Sequence, residues 1–286
     1  MICNPEIGHK GRLGNALFQY AAVKGLAKLT NSITVLPEDI YNRVWHEQEC
    51  ALKYFKIKSK FISNTEFSKF TNTFYANETI PRQFDSTFLI QPQNTLIFGH
   101  FEHIKYFENV EDEIREEYEL VDSIKNEGLA ILTNIKNNYP NDTQIIAIHL
   151  RLGDANSINK PEISDKSSWI HTYIKDALKQ FDSIKNKVFI CFTGGARTSI
   201  NDNSDMEFFQ SFIKQYISND IYFVSNNYII DFSMITQSDH IIILAFSTFI
   251  WWAAYLNNNK DKKIIVPKND FFAKGTEFWH KDFIKL

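Results

Sequence analysis

Through the second half of the chain, short β-branched runs alternate with helix-spaced stretches, and this alternation narrows the fold more than any other feature of the sequence. Residues 144–150, 187–192, 221–224, 241–244 and 263–266 are apolar runs of strand length. Between them, residues 168–181, 204–215, 231–237 and 247–256 read as helices, with Ser167 or Ser168 placed to cap the first. Strands and helices in turn imply a parallel sheet covered by helices on both faces. The first half is less regular. Residues 13–29 read as a helix with Lys24 out of pattern, 33–36 as a strand, and 102–136 as a charged helical stretch. Residues 37–92 are aromatic-rich and carry no pattern we can assign. The first strand is short, with Pro5 inside it, which fits an edge position. The economical architecture is α/β, with two Rossmann-like halves facing across a cleft. We expect domains of residues 1–142 and 143–286, divided where Pro140 and its Asn and Asp neighbours break the pattern.

Composition excludes several classes. With 44% hydrophobic and 23% charged residues, the 286-residue chain can bury a core and is not disordered. Net charge is −3 and the basic residues are dispersed, so there is no nucleic-acid-binding stripe. Cys3, Cys50 and Cys191 lack metal-ligand spacing and read as free thiols of a reducing compartment. The first residues contain no apolar signal core, and the longest apolar run, residues 241–256, falls short of the ~20 residues that a membrane span needs. A cytoplasmic location is the expectation.

Three constellations carry chemistry. His149-Leu150-Arg151-Leu152-Gly153-Asp154 sits at the carboxyl end of an expected strand, where open α/β sheets bind ligands. An arginine there suits a phosphate, and Gly153 permits a sharp turn. The plain alternative is a surface Arg–Asp pair. Gly11-Arg12-Leu13-Gly14-Asn15 precedes a helix and is either an anion-facing loop or a simple glycine turn; it is neither G-x-G-x-x-G nor a P-loop. Ser247 or Thr248 would cap the helix after the 241–244 strand, making a phosphate site of its amino end. Trp251 and Trp252 are assigned to core packing.

Taken together, these segments resemble glycosyltransferase family 11, the α-1,2-fucosyltransferases. The family opens with a G-G-L-G-N-Q-M-F-Q-Y-A-like segment, matched here from Gly11 to Ala21. Its G-Y-F-Q-x-x-K-Y-F-like segment is matched from Gly99 to Phe107, its H-x-R-R-G-D motif from His149 to Asp154, and its N-S-S-F-S-W-W-A-A-W-L-like segment from Ala245 to Leu256. The ordered set spans nearly the whole chain.

The resemblance implies a GT-B-like fold, GDP-fucose as donor substrate with no further cofactor, an oligosaccharide acceptor and inversion at the anomeric carbon. Arg151 would hold the diphosphate, and His149 would lie near the nucleotide. Gly11, Arg12, Gly14, Asn15, Gly194, Ser247, Thr248 and Phe249 complete the implied donor set. Asp231, sixteen residues before Ser247, matches an Asp that reads guanine in related enzymes; as physics, a carboxylate accepts from two guanine N–H groups at once. Its plain alternative is the cap of a helix over residues 231–237. His100, Glu102 and His103 fall on the acceptor side.

Two departures stand out. Leu152 replaces the second Arg, which removes a charge from the expected donor site. Phe192-Thr193-Gly194-Gly195-Ala196-Arg197-Thr198 replaces the family's acidic F-S-D-D-like segment and reads equally as a nucleotide contact or a permissive turn. No D-x-D occurs, so we expect a metal-free reaction in which Arg151, the Ser247–Thr248 helix end and Arg12 stabilise the leaving group. Asp154 and Glu102 are the base candidates by motif position, with Glu162 and Asp165 in the following loop as others. Two further functions compete: a fucosyltransferase of another linkage or another GDP-sugar transferase, and a non-catalytic nucleotide- or glycan-binding protein on a decayed transferase. Intact Asn15, His149, Arg151 and Asp154 argue against decay.

Overall fold

A computed structural model of the chain describes residues 1–79, 82–194, 204–268 and 277–286. They divide into two compact units, Met1–Val121 with Gly275–His280, and Asp122–Lys274 with Lys281–Leu286. The boundary expected at 142/143 thus falls at Val121/Asp122. The reason is the charged helix after it, which packs on the second unit: Gly128 lies so close to Ser233 that a Cβ would stand 2.4 Å from its Oγ.

In the first unit, β1 (Ile2–Cys3) ends before Pro5 and leads into α1 (Leu13–Leu29) and β2 (Val35–Pro37). A hairpin of β3 (Val44–Trp45) and β4 (Gln48–Glu49), then β5 (Lys60–Ile62), β6 (Asn72–Tyr75), β7 (Thr95–Phe98) and α2 (Glu111–Glu117) follow, joined by short 3-10 turns. The strands form small parallel sheets, β1-β7-β6 and β2-β5. The edge position expected from Pro5 is corrected: β1 ends before Pro5 and has a neighbour on each side, β7 on one and, through the Ile2–Thr34 bridge, the chain before β2 on the other. Helix α1 is buried on almost every face, including Phe18, Tyr20 and Gln19. Its polar members are therefore paired. Gln19 donates to the carbonyls of Lys10 (3.1 Å) and Gly99 (3.2 Å). Lys24 breaks the apolar pattern because it meets buried Glu117 at 2.5 Å, which also accepts from the Tyr20 hydroxyl. The charged stretch 102–136 is broken: residues between α2 and α3 (Asp122–Lys136) turn, and Leu120 bridges to Phe55.

The second unit matches the alternation closely. After α3 come β8 (Gln144–Arg151), α4 (Asn156–Ser164), α5 (Trp169–Lys179), β9 (Lys187–Gly194), α6 (Ser204–Ile213), β10 (Ile221–Val224), α7 (Tyr228–Thr236), β11 (His240–Ile243), α8 (Thr248–Tyr255), β12 (Ile264–Val266) and β13 (Ile284–Lys285). All six strands are parallel, in the order β10-β9-β8-β11-β12-β13. Ile146, Ile148, Leu150, Ile174, Cys191 and Phe209 centre one hydrophobic core, and Trp251 and Trp252 are fully buried, as assigned. Two expectations are corrected. Glu162 lies on helix α4 and not in a loop, and α7 begins at Tyr228 with Asn227 as its cap, so Asp231 is a first-turn residue and does not cap.

Candidate active site

The strand order of the second unit fixes where a ligand can sit. From β8 the chain moves outward to β9 and β10, then returns to β11 on the other side and continues outward. The carboxyl ends of β8 and β11 therefore flank a topological switch point, the usual ligand crevice of an open parallel sheet. His149 pairs in register with Ile243, and the Leu244 N–H donates to the His149 carbonyl at 2.9 Å. This brings the end of β8 beside the amino end of α8. There Ser247 is extended (φ −160°, ψ 139°), and its Oγ accepts from the Phe249 N–H at 3.2 Å, the capping geometry expected.

His149 is 5% exposed and stacks on Phe249 (centroids 5.8 Å apart). Its Nδ1 is buried with no hydrogen-bond partner among the described residues. Burial, and then the neighbouring Arg151 charge, lower its pKa to about 3, so the ring is neutral. Arg151 ends β8 opposite Gly194. Its guanidinium meets Asp154 at 3.1 and 3.4 Å. Among the described residues nothing lies within 4 Å of where a Cβ on Gly194 would stand. The rest of its loop, Gly195 to Thr198, lies outside the described residues. Leu152 is fully buried in the core of the unit, so this side chain packs and does not stand where an arginine would meet a ligand.

The turn after Arg151 is held by residues that motif reasoning missed. Gly153 (φ +69°) donates its N–H to Asp205 Oδ2 at 2.8 Å and Asn156 Oδ1 at 3.1 Å. Asp205 also accepts from Asn156 and Lys160, both at 2.8 Å, while Asn159 donates to the Arg151 carbonyl at 2.6 Å. Asp205 is separated from the motif by about fifty residues, and no local pattern marks it. Asp231, 8% exposed, accepts from the Asn226 side chain at 2.9 Å and its backbone N–H at 3.3 Å. The other base candidates are engaged: Glu162 accepts from Ser168 and Asp165 from Ser167.

The first unit joins the other two motif segments. Gly11 has φ +93°, a conformation that favours glycine, and a Cβ there would strike Asn15. Arg12 is the helix cap position without a side-chain capping bond, and Gly14 is buried in α1. Asn15 donates to Glu102 Oε1 at 3.3 Å, and Arg82 meets Glu102 Oε2 at 3.1 Å. Glu78 accepts from both the ring Nδ1 (3.0 Å) and the backbone N–H of His100. That contact raises the His100 pKa. Burial alone would raise that of Glu78, but the two bonds from His100 outweigh it and the net shift is downward. Glu78, Arg82, His100 and Glu102 line a cavity of about 310 Å3 with Phe101 and Tyr106. His103 stands apart: it is buried, accepts the Lys105 N–H at 3.1 Å, and has its pKa lowered to about 4 by burial and the Lys105 charge.

Comparison with known proteins agrees in kind. The family model described as Glycosyl transferase family 11 matches residues 4–285. A mouse protein named galactoside alpha-(1,2)-fucosyltransferase 2 is 23% identical over 256 residues, covering 86% of this chain but 66% of its own length. The chain thus spans just under two thirds of that relative. Among solved structures, NodZ alpha-1,6-fucosyltransferase co-crystallised with GDP aligns with a TM-score of 0.52 at 14% identity, covering 88% of this chain and 91% of its own. POFUT1 in complex with GDP aligns with a TM-score of 0.51 at 12% identity, covering 92% and 97%. At these identities the structures speak to fold alone, which is α/β and GT-B-like.

Proposed function

This chain belongs to glycosyl transferase family 11, and from that premise we propose that it transfers L-fucose from GDP-fucose to a glycan hydroxyl, O2 of a terminal β-galactoside, with inversion. The observation that carries the reading is the switch point of the second unit, where Arg151, neutral His149 and the capped amino end of α8 lie at neighbouring strand ends. A diphosphate suits such a place, because a guanidinium, a helix amino end and preorganised N–H groups stabilise negative charge. The same groups stabilise the charge that grows on GDP as the fucose–phosphate bond breaks. In this reading Asp154 orients Arg151 through their ion pair, Asp205 and Asn159 fix the turn that presents it, and Asp231 accepts from the guanine edge. The first unit contributes the acceptor side through Glu102 and His100.

The relatives named for this activity support the linkage, and GDP in the two aligned structures supports the donor. We place the protein in the cytoplasm, a reading supported by three buried free cysteines; no helix among the described residues is long and apolar enough to cross a membrane. The test is incubation with GDP-fucose and a panel of β-galactosides, followed by linkage determination. An α-1,2 product is expected. A product of another linkage refutes the acceptor assignment, and failure to consume GDP-fucose with any acceptor refutes the donor assignment.

A further inference from the structure

The four carboxylate candidates for the base are each engaged by a donor. Asp154 accepts from the Arg151 guanidinium at 3.1 and 3.4 Å, and Glu102 from Arg82 at 3.1 Å and Asn15 at 3.3 Å. Glu162 accepts from Ser168, and Asp165 from Ser167. Donors stabilise the charged form of a carboxylate and so weaken it as a base. His100 is held the opposite way, by an acceptor. Glu78 takes hydrogen bonds from its ring Nδ1 at 3.0 Å and from its backbone N–H. A carboxylate at Nδ1 fixes the neutral ring's proton there and leaves the lone pair on Nε2. It also stabilises the imidazolium that forms when Nε2 takes a proton. The backbone that carries the ring is braced. Gly99 (φ +144°) donates its N–H to Glu6 Oε2 at 3.2 Å, and its carbonyl accepts from Gln19 Nε2 at 3.2 Å. A Cβ at Gly99 would stand 2.8 Å from the Ala76 Cβ and 3.2 Å from Glu78 Oε1, so glycine lets Glu78 reach the ring. On the other side Phe101 has φ +56°, a strained conformation for a bulky residue and one that concentrates at working sites.

We propose that His100 is the general base of the transfer, with Glu78 as its positioning residue, and that Nε2 takes the proton of the acceptor hydroxyl held in the cavity both residues line. The proposal rests on the transferase reading. It is not carried over from the family, whose G-Y-F-Q-like segment has Tyr where this chain has His100. As the hydroxyl oxygen bonds to the anomeric carbon of fucose, the bond from that carbon to the phosphate oxygen breaks and its electron pair leaves with GDP. The hydroxyl proton passes to Nε2, and the imidazolium, paired with Glu78, later releases it to solvent. The charges facing the ring agree with this task. The bond to Glu78 raises the His100 pKa above its ordinary 6.5; burial opposes the rise, the Glu78 and Glu102 charges add to it, and Lys10 opposes it. Arg82 lines the same cavity and is matched by Glu102. Below the raised pKa the ring is already protonated and cannot accept, so the reaction should fail toward acid.

The experiment measures initial rates of fucose transfer against pH for the whole protein, His100→Ala and Glu78→Gln, with the β-galactoside that the wild type uses fastest. GDP affinity, read by calorimetry, should match the wild type in both variants, which also reports that they are folded. Wild-type kcat/KM should fall toward acid through a pKa above the ordinary value of His. His100→Ala should lower kcat roughly a hundredfold or more, the scale of general-base catalysis, lose the acid limb, and regain activity on addition of imidazole. Glu78→Gln has one acceptor oxygen and no charge for the two N–H groups it meets, so its acid limb should move to lower pH and its plateau should drop. A side chain that only binds the acceptor would raise KM and leave kcat and the acid limb in place; that result overturns the proposal. So does an acid limb that stays put in Glu78→Gln. A wild type that consumes no GDP-fucose with any acceptor sinks the transferase reading and the base with it, whereas an active wild type with full kcat in His100→Ala sinks the base alone.

Discussion

Two residues of the second unit allow sharp tests. Asp231 sits in the first turn of α7 and accepts from Asn226, whose bond an asparagine oxygen would also accept. Asp231→Asn should therefore change stability by less than about 1 kcal/mol, the scale of a first-turn charge effect. As a guanine reader, however, Asn offers an NH2 that opposes the base's own donors. GDP affinity should fall more than tenfold, on the order of 1.5–3 kcal/mol for a charged hydrogen bond; calorimetry that finds the wild-type dissociation constant removes Asp231 from the base site. His149 makes a prediction about pH. Its folded pKa is about 3, below the ordinary value of 6.5, so the unfolded chain takes up the proton first as pH falls. The stability it contributes is complete above about pH 6.5 and is lost as pH drops toward 3, with a slope of up to about 1.4 kcal/mol per pH unit. His149→Phe, which keeps an aromatic ring against Phe249, should flatten the fall in urea midpoint between neutral pH and about pH 4 relative to wild type. Parallel pH profiles for the two proteins would refute it. His100 runs the other way, because its raised pKa stabilises the fold at low pH and loses that contribution as pH rises.

Between elements, α1 approaches a turn closely at Gly25, where a Cβ would stand 2.0 Å from the Tyr106 carbonyl oxygen and 3.0 Å from the Phe107 Cα. Alanine in a helix normally gains about 1 kcal/mol over glycine. Here it must push the backbone of a turn, at a cost of about 1–3 kcal/mol or more for an overpacked site. Gly25→Ala should lower the thermal midpoint and, because Tyr106 lines the cavity, weaken glycoside binding as well; a variant as stable as wild type would show that the helix can shift without penalty. What the sequence revealed follows the same division. The central strands of the second unit, β8, β9, β11 and β12, are buried on both faces, so apolar runs announced them; half-buried β10 was located to the residue at 221–224, as was helix 13–29, while the two-residue, exposed β13 carried no such run. Helix α4 was hidden because Pro161 lies inside it and its composition is polar. The first unit resisted because its strands are two to four residues long and its turns are 3-10, too short for any period to register. Of the candidate site, the arginine, histidine and cap were legible because they lie in contiguous motifs. Asp205, Asn159 and Glu78 were not, since each reaches its place through tertiary contacts alone.

At the scale of the whole protein, the proposed chemistry predicts independence from metal. In that proposal Arg151 and the amino end of α8 would supply the charge stabilisation that a divalent ion gives elsewhere. The sequence has no D-x-D, and among the described residues no three His, Cys, Asp or Glu side chains are grouped to hold an ion. Fucose transfer should therefore persist in excess EDTA. Loss of activity on chelation, restored by manganese or magnesium, would refute the mechanism. The chain's path through its two units has a further consequence, for its synthesis. Phe278 packs against Phe18 and beneath Arg82, and it belongs to a unit otherwise built from the first 121 residues. Translation at ~5–20 residues per second separates these partners by on the order of ten seconds or more. During that interval the ring of Phe18 and the foot of Arg82 lack their cover, so the part made first is finished last, and a nascent chain stalled before Phe278 would present that apolar gap to the chaperones around the ribosome.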